Sequence, residues 1–258
     1  MKVLITGGAN GIGKATARKL EEHGHEVSVF DKDKEALEEL PENIQTFHGD
    51  VSDEKRVKEV LDQVELDVLV NSAGYYEQAA IEDMNADTVQ KIYESNVYGT
   101  LNFCRHALPI LRKRNGRIIN ISSIAGRIPT PFFGVYSSSK YAVEALSDAL
   151  RFETAEFDVD VVIIEPGVID TGFNRRARQA LQKYIPDSIY SEKYEEKLQS
   201  GGMNGVEPEK AANVVVSAVE SRKPKRRYTV TAMALLTPKL KKALPTWLWD
   251  RIVLKATY

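Results

Sequence analysis

Cysteine is nearly absent. The chain of 258 residues holds one, Cys104, which excludes an intramolecular disulfide and suits a reducing compartment. It lies in the apolar, helix-like run 101–111 and reads as a small buried hydrophobe rather than a nucleophile. Histidine is scarce too. His23, His25, His48 and His106 show no zinc-ligand spacing beside other ligands, so no metal site is expected. No apolar run approaches the ~20 residues that span a bilayer. The formal net charge is only −2, which offers no electrostatic footprint for nucleic acid. A charged-then-apolar leader is also missing, since Lys2-Val3-Leu4-Ile5 already reads as a strand. The expectation is a cytoplasmic protein, with peripheral membrane contact left open by the far end of the chain.

What is present is alternation. The runs 3–6, 27–30, 44–48, 67–70, 117–121 and 159–165 are short, apolar and rich in β-branched residues, as parallel strands covered on both faces require. Helical patterns lie between them. Val57, Val60, Leu61 and Val64, for example, recur at spacings of three and four and form one apolar stripe. A second helix restarts near Pro208, and 226–231 reads as a last strand. Strand and helix in this order predict an α/β fold with a doubly wound parallel sheet, the Rossmann fold, as a single domain over 1–258.

A glycine-rich turn follows the first strand directly: Thr6-Gly7-Gly8-Ala9-Asn10-Gly11-Ile12-Gly13. Glycines at a strand-to-helix junction let the backbone approach a pyrophosphate, and the helix N-terminus offers free N–H groups and a favourable dipole. A lone glycine triplet is an ordinary tight turn as often as not. Here strand, turn and helix occur in the order the motif needs. Asp31 closes the second strand, where a carboxylate accepts bonds from the adenosine ribose and repels a 2′-phosphate. That favours NAD. Lys32 and Lys34 follow at once and keep NADP open, because a lysine can neutralise a phosphate.

Tyr136 and Lys140 stand four residues apart in a helix-like run, so phenol and ammonium share one face. A tyrosine with its ordinary pKa of about 10 is a poor base at neutral pH, and a nearby cation moves it toward the working range. Thirteen residues before Tyr136, a strand within 116–126 ends in Ile121-Ser122-Ser123. It places a hydroxyl where open α/β sheets build their sites, and the spacing favours Ser123 over Ser122. Asn96, read alone, caps or kinks its helix as readily as it serves a site.

Taken jointly, the glycine turn, Asn71-Ser72-Ala73-Gly74, Asn96, Ser123, the Tyr136/Lys140 pair and Pro166-Gly167 resemble the short-chain dehydrogenase/reductase family over roughly 1–230. The resemblance implies that Tyr136 exchanges the proton at the substrate oxygen and that Lys140 lowers its pKa and holds the nicotinamide ribose. It implies that Ser123 orients the carbonyl and that Asn96 holds a water in a proton relay. Gly7, Ala9, Asn10, Gly11, Ile12 and Gly13 would bind the pyrophosphate side, and Asp50 and Val51 would flank the adenine. Asn71, Ala73 and Gly74 would line the adenosine side, with Pro166, Gly167, Ile169 and Thr171 along the nicotinamide. Ser72 departs from the pattern, where the family more often has a second asparagine. Family members often form dimers or tetramers through the long helices following Asn85 and Tyr136, so a homo-oligomer is expected.

Two segments break the pattern. The polar stretch 172–205 carries Pro186, Gly201, Gly202 and Gly205 and no clear strand, and is read as a structureless stretch forming an amphipathic substrate lid, with two ordinary surface helices as the alternative. Its apolar residues (Phe173, Leu181, Tyr184, Ile185, Ile189, Tyr190, Tyr194 and Leu198) suit an apolar substrate. From Arg222 to Trp249 there are eight basic residues and no acidic one. Leucines and tryptophans interleave with them, giving an amphipathic basic tail over 232–258. The reading is an oxidoreductase passing a hydride between a nicotinamide cofactor and an alcohol or carbonyl of a small, apolar molecule, steroid-, retinoid- or lipid-like. A non-catalytic dinucleotide sensor and a membrane-docked scaffold are the rivals; the tyrosine–lysine pair argues against the sensor, and the scaffold stays open.

Overall fold

Successive side chains of a strand point to opposite faces, and this chain uses both. Val3, Ile5, Val27, Val29, Ile119 and Ile121 join one buried core with Ala17, Leu20, Val215 and Val219. Leu4, Phe30, Leu69, Ile118 and Val161 join a second with Val57, Val60, Phe103, Ala107 and Leu111. Each fully buried aliphatic side chain contributes roughly 1.5–3 kcal/mol, against ~0–1 kcal/mol for an exposed ion pair. The two-sided core, not the charged surface, therefore holds the sheet.

The computed structural model describes residues 1–201 and 205–257. Gly202, Met203 and Asn204 of the expected lid and Tyr258 of the tail lie outside the described residues. The strands are β1 (Lys2–Thr6), β2 (Glu26–Asp31), β3 (Gln45–His48), β4 (Val68–Asn71), β5 (Arg117–Ile121), β6 (Asp160–Glu165) and β7 (Arg227–Thr229). They form one seven-stranded sheet in the order β3-β2-β1-β4-β5-β6-β7, with every pairing parallel. The order reverses on either side of β1, and ligands bind in the crevice such a reversal opens.

The helices are α1 (Gly11–Glu22), α2 (Lys34–Glu38), α3 (Glu54–Leu61), α4 (Ala86–Tyr93), α5 (Gly99–Arg112), α6 (Gly134–Glu153), α7 (Gly172–Gln179), α8 (Ser191–Gln199), α9 (Pro208–Glu220), α10 (Ala232–Ala243) and α11 (Thr246–Thr257). α3 buries Val57, Val60 and Leu61, the stripe its spacing predicts, and Asp53 caps it by accepting from Arg56 N. Cys104 is buried, and burial pushes its thiol up to about 12, which leaves it inert.

The segment 172–205 differs from expectation. It is not structureless: α7, two short 3₁₀ turns (Ala180–Lys183 and Ile185–Asp187) and α8 occupy most of it. Leu181, Tyr184 and Tyr194 are buried with Ala79, Ala80, Met84 and Ile92. The Tyr194 hydroxyl accepts from Ala80 N at 2.8 Å and donates to the Asp83 carboxylate. Those burials supply the driving force that the polar α7, which buries only Ala177, lacks. The expected last strand is also shorter, because Thr231 instead caps α10 by accepting from Ala234 N.

Candidate active site

The turn after β1 is built by close backbone approach. Gly7 takes a left-handed φ of +65°, and a Cβ on Gly13 would collide with the Gly7 carbonyl oxygen. Glycine alone satisfies both demands. Asn10 stands at the N-cap of α1 without a side-chain capping bond; its amide instead donates to Asp33 at 3.0 Å. The first turn of α1 carries no acidic residue. The helix N-terminus is thereby left to a ligand, and its N–H groups and dipole fit a pyrophosphate. Ile12 is turned inward against the core.

Asp31 ends β2 beside this turn. Its two oxygens accept from Ala9 N and Asp33 N, both at 3.0 Å. Each keeps a second lone pair, so the carboxylate staples the turn and can still accept from a ribose. Lys32 reaches away, to Asp50 at 3.7 Å. Burial raises the Asp50 carboxyl, but bonds from Ser52 and the nearby Lys32 outweigh it and hold the group below its ordinary range. Val51 is buried against Gly99, and its carbonyl accepts from Asn102. On the loop after β4, Ser72 N and Ala73 N both donate to Thr6 Oγ1 at 3.2 Å, fixing the loop to β1. The Asn71 side chain faces the interior, donating to Asn120 Oδ1 at 2.8 Å, with its own Oδ1 buried.

On the other flank, Thr171 comes within 3.4 Å of where a Cβ on Gly11 would stand, so the segment after Pro166 meets the glycine turn. Ile169 is buried and bridges Val206. The Pro166 carbonyl accepts from Ile124 N at 2.8 Å, and Gly167 is pressed against the Thr231 hydroxyl.

Ser123, Tyr136 and Lys140 come together at the C-terminal end of β5. Ser123 caps a short 3₁₀ turn, its Oγ accepting from Ala125 N at 3.1 Å, which leaves its own hydrogen to point toward Tyr136. Tyr136 lies in the first turn of α6 and is buried. Burial pushes its phenol up to about 12, although a hydrogen bond with Ser123 pulls the other way. The ordering differs from the sequence expectation, because desolvation is the larger effect here. Lys140 Nζ donates to the Ile121 carbonyl at 2.9 Å and stands 5.9 Å from the Tyr136 ring centroid. Burial lowers the Lys140 ammonium to about 8, opposed by Glu144 one turn further along α6.

Asn96 sits in a π-helical turn, Glu94–Tyr98, between α4 and α5, a distortion that often marks a functional site. It is fully buried. Its Oδ1 accepts from Tyr75 N at 2.7 Å, and its Nδ2 donates to Tyr75 O and Ser139 Oγ, each at 2.9 Å. Ser139 in turn donates to Tyr136 O at 2.7 Å. Both amide hydrogens are committed, so the side chain clamps the 74–75 backbone to α6, and only the second lone pair of Oδ1 remains for a water.

Sequence reasoning missed two features. Tyr76 stacks over the site, its ring 4.4 Å from Tyr136 and 4.8 Å from Phe173, with Phe133 at 6.0 Å. Its place just after Asn71–Gly74 is the signal that would have found it. The second is a charge network behind Lys140. Arg227 of β7 reaches Glu144 at 2.9 Å, Asp148 at 2.7 Å and Glu165 at 3.2 Å, and Arg127 reaches Glu165 at 2.8 Å. Glu144 and Glu165 are buried, and burial raises the Glu144 carboxyl despite bonds from Ser122 and Arg227. Among the described residues no group of histidine, cysteine and carboxylate side chains could hold a metal ion.

A dinucleotide cradle beside a serine–tyrosine–lysine cluster on a parallel sheet defines an NAD(P)-dependent oxidoreductase. The family described as short chain dehydrogenase matches residues 1–182, and the chain belongs to it. It is 34% identical over 255 residues to 3-ketodihydrosphingosine reductase of Bacteroides thetaiotaomicron, covering 94% of this chain and 93% of that one. It is 31% identical over 271 residues to the NADPH-dependent 3-dehydrocapnine reductase of Ornithobacterium rhinotracheale, covering 98% and 95%. The fold is similar to a short chain dehydrogenase from Burkholderia cenocepacia in complex with NADP, with a TM-score of 0.81, 23% identity and 98% and 97% coverage.

Proposed function

We propose that this protein reduces a ketone on a long-chain, lipid-like substrate, with Tyr136 as proton donor and NADH as the favoured cofactor. The convergence of Ser123, Tyr136 and Lys140 beneath the Tyr76–Phe173 rings carries the reading. Pro166, Gly167, Ile169 and Thr171 would hold a reduced nicotinamide, whose chemistry when bound would be hydride donation. The chain's own residues handle the proton. With its phenol up at about 12, Tyr136 keeps its hydrogen at neutral pH and acts as an acid toward the carbonyl oxygen. The Ser123 hydroxyl, beside Tyr136, turns to donate to the same oxygen and stabilises the charge that develops there. The Lys140 ammonium, anchored on Ile121 O, eases formation of the phenolate that remains. Asn96 and Ser139 act through position, holding the loop after β4 against α6.

Tyr76, Phe133 and Phe173 keep water from the phenol and offer an apolar surface, with α7 and α8 as the lid. Two relatives are named for reducing 3-keto and 3-dehydro lipids, which supports the same class here. Cofactor choice rests on Asp31, whose carboxylate at the end of β2 opposes a 2′-phosphate, while Lys32 is turned toward Asp50. The exposed rings of Tyr98, Tyr141 and Phe152 support assembly of copies through the neighbouring helices.

The test is turnover of 3-ketodihydrosphingosine with NADH and with NADPH by wild type, Tyr136→Phe and Asp31→Ala. Tyr136→Phe is expected to lose roughly 10²–10⁴-fold in kcat while binding NADH as wild type does. Retained turnover would remove Tyr136 as the proton donor. Asp31→Ala is expected to weaken NADH about tenfold or more; a wild type that prefers NADPH overturns the Asp31 assignment. Equal turnover of a short-chain ketone overturns the long-chain assignment.

A further inference from the structure

The helices α10 and α11 turn their large side chains the wrong way for a protein surrounded only by water. In α10 the inward positions are small or polar: Ala234 is buried and Thr237 half-buried. The outward positions are Met233, Leu236 and Leu240, 55%, 60% and 47% exposed. Spacings of three and four set these on one stripe, and Lys239 and Lys242 are exposed beside it. In α11 the two tryptophans divide: Trp249 is 8% exposed and Trp247 63%. Trp247 shares its face with Leu254, seven residues on, and Arg251 lies between them.

Charge separates this surface from the rest of the molecule. α10 and α11 carry Lys239, Lys241, Lys242, Arg251 and Lys255 against the single acid Asp250, while the whole chain is −2, so the remainder is net negative. An apolar stripe flanked by lysines, with a tryptophan at its edge, has the composition of a helix lying in a lipid interface, the lysine stems following the apolar surface while their heads reach phosphates. No described helix is long and apolar enough to cross a membrane, so the arrangement suits a helix pair resting on a bilayer. Pairing of this face with its own copy would bring lysines against lysines.

The surface also adjoins the site. Thr231, which caps α10, is the residue pressed against Gly167 at the nicotinamide side. Lys241 reaches the Arg127 carbonyl at 3.4 Å and the Tyr141 hydroxyl at 3.3 Å, holding α10 to the turn after Ser123.

We propose that α10 and α11 dock this enzyme on an anionic lipid bilayer, with Met233, Leu236, Leu240 and Trp247 entering the interface beside the active-site mouth. Docking stands on the surface alone and does not depend on the ketone assignment; together they mean that substrate is drawn from the bilayer.

Both tryptophans of the chain lie in α11, so intrinsic fluorescence reads this region directly. The purified full chain is mixed with vesicles of phosphatidylcholine alone or with added phosphatidylglycerol, following emission and co-sedimentation. Binding and a blue shift are expected with the anionic vesicles, weakening in high salt. Lys239→Gln and Lys242→Gln should each reduce it about fivefold. Leu236→Ser with Leu240→Ser should abolish sedimentation while NADH still binds, which shows that the variant is folded. Absence of binding to anionic vesicles, or equal binding to neutral ones, overturns the proposal. So does a fall in assembly mass in the double variant with vesicle binding unchanged, since the face would then belong to a second copy.

Discussion

Two regions meet at the C-terminal end of this sheet and are built on opposite rules. In the turn between β1 and α1 the backbone does the work: a Cβ at Gly13 would strike the Gly7 carbonyl, and Gly7 itself holds a left-handed φ. In α7 and in α10 and α11 side chains do the work, although Gly167 and Gly205 near them are as crowded as the turn. A Cβ at Gly172 or Gly201 would meet nothing within 4 Å, and Met233, Leu236 and Trp247 stand in the open. A cofactor recognised through its phosphates needs N–H groups at fixed points, whatever the side chains. A substrate recognised through apolar contact needs side chains free to vary.

The contrast is broken most directly at Gly13. Gly13→Ala is expected to cost about 3 kcal/mol or more, through overpacking against backbone that cannot yield. Urea unfolding with and without NADH checks it, and an unchanged midpoint with NADH affinity intact would mean the turn is as tolerant as the tail.

Next in size is the charge network behind Lys140. Arg227→Met strips the buried Glu144 of its salt-bridge partner, while Arg127 still holds Glu165 and Arg151 still holds Asp148. Roughly 2–3 kcal/mol of stability should be lost, measurable as a lower denaturation midpoint. The same network sets a pH limb. Burial lowers the Lys140 ammonium from its ordinary value to about 8, so the cation beside Tyr136 is present below that pH and lost above it. Reduction is expected to fall as pH rises through about 8. Glu144→Gln removes the carboxylate that holds Lys140 up, and should move this limb to lower pH; an unmoved limb would assign it to another group.

How much of this could be read from the sequence follows the same division. Strands buried on both faces print themselves as apolar runs, and Tyr136 and Lys140 lie a single helical turn apart, so local spacing carries both. Local spacing carries nothing of the network, because Arg227 meets Glu144 across 83 positions of chain. Nor could it show that Asn96 would be spent on the Tyr75 backbone, or that burial would outweigh the Ser123 bond at the Tyr136 phenol. Those depend on which loops pack on which helices. The helices of 172–201 escape local spacing for a related reason. α7 is polar nearly all round, and the helicity of 172–201 depends on Leu181, Tyr184 and Tyr194 burying themselves against residues a hundred positions away.

The smallest effect is the most discriminating. Gly172 opens α7 with nothing near its missing side chain, so Gly172→Ala should raise stability by ~0.4–1 kcal/mol, chiefly by narrowing the unfolded ensemble. If α7 is only scaffolding, turnover stays unchanged beside that gain. If α7 swings with Phe173 to admit substrate past Tyr76, the backbone at Gly172 is where the φ and ψ change is absorbed, and the same substitution slows kcat while NADH affinity holds. A more stable, slower enzyme would mark the lid as moving, whereas a more stable enzyme of equal rate would make it as fixed as the glycine turn.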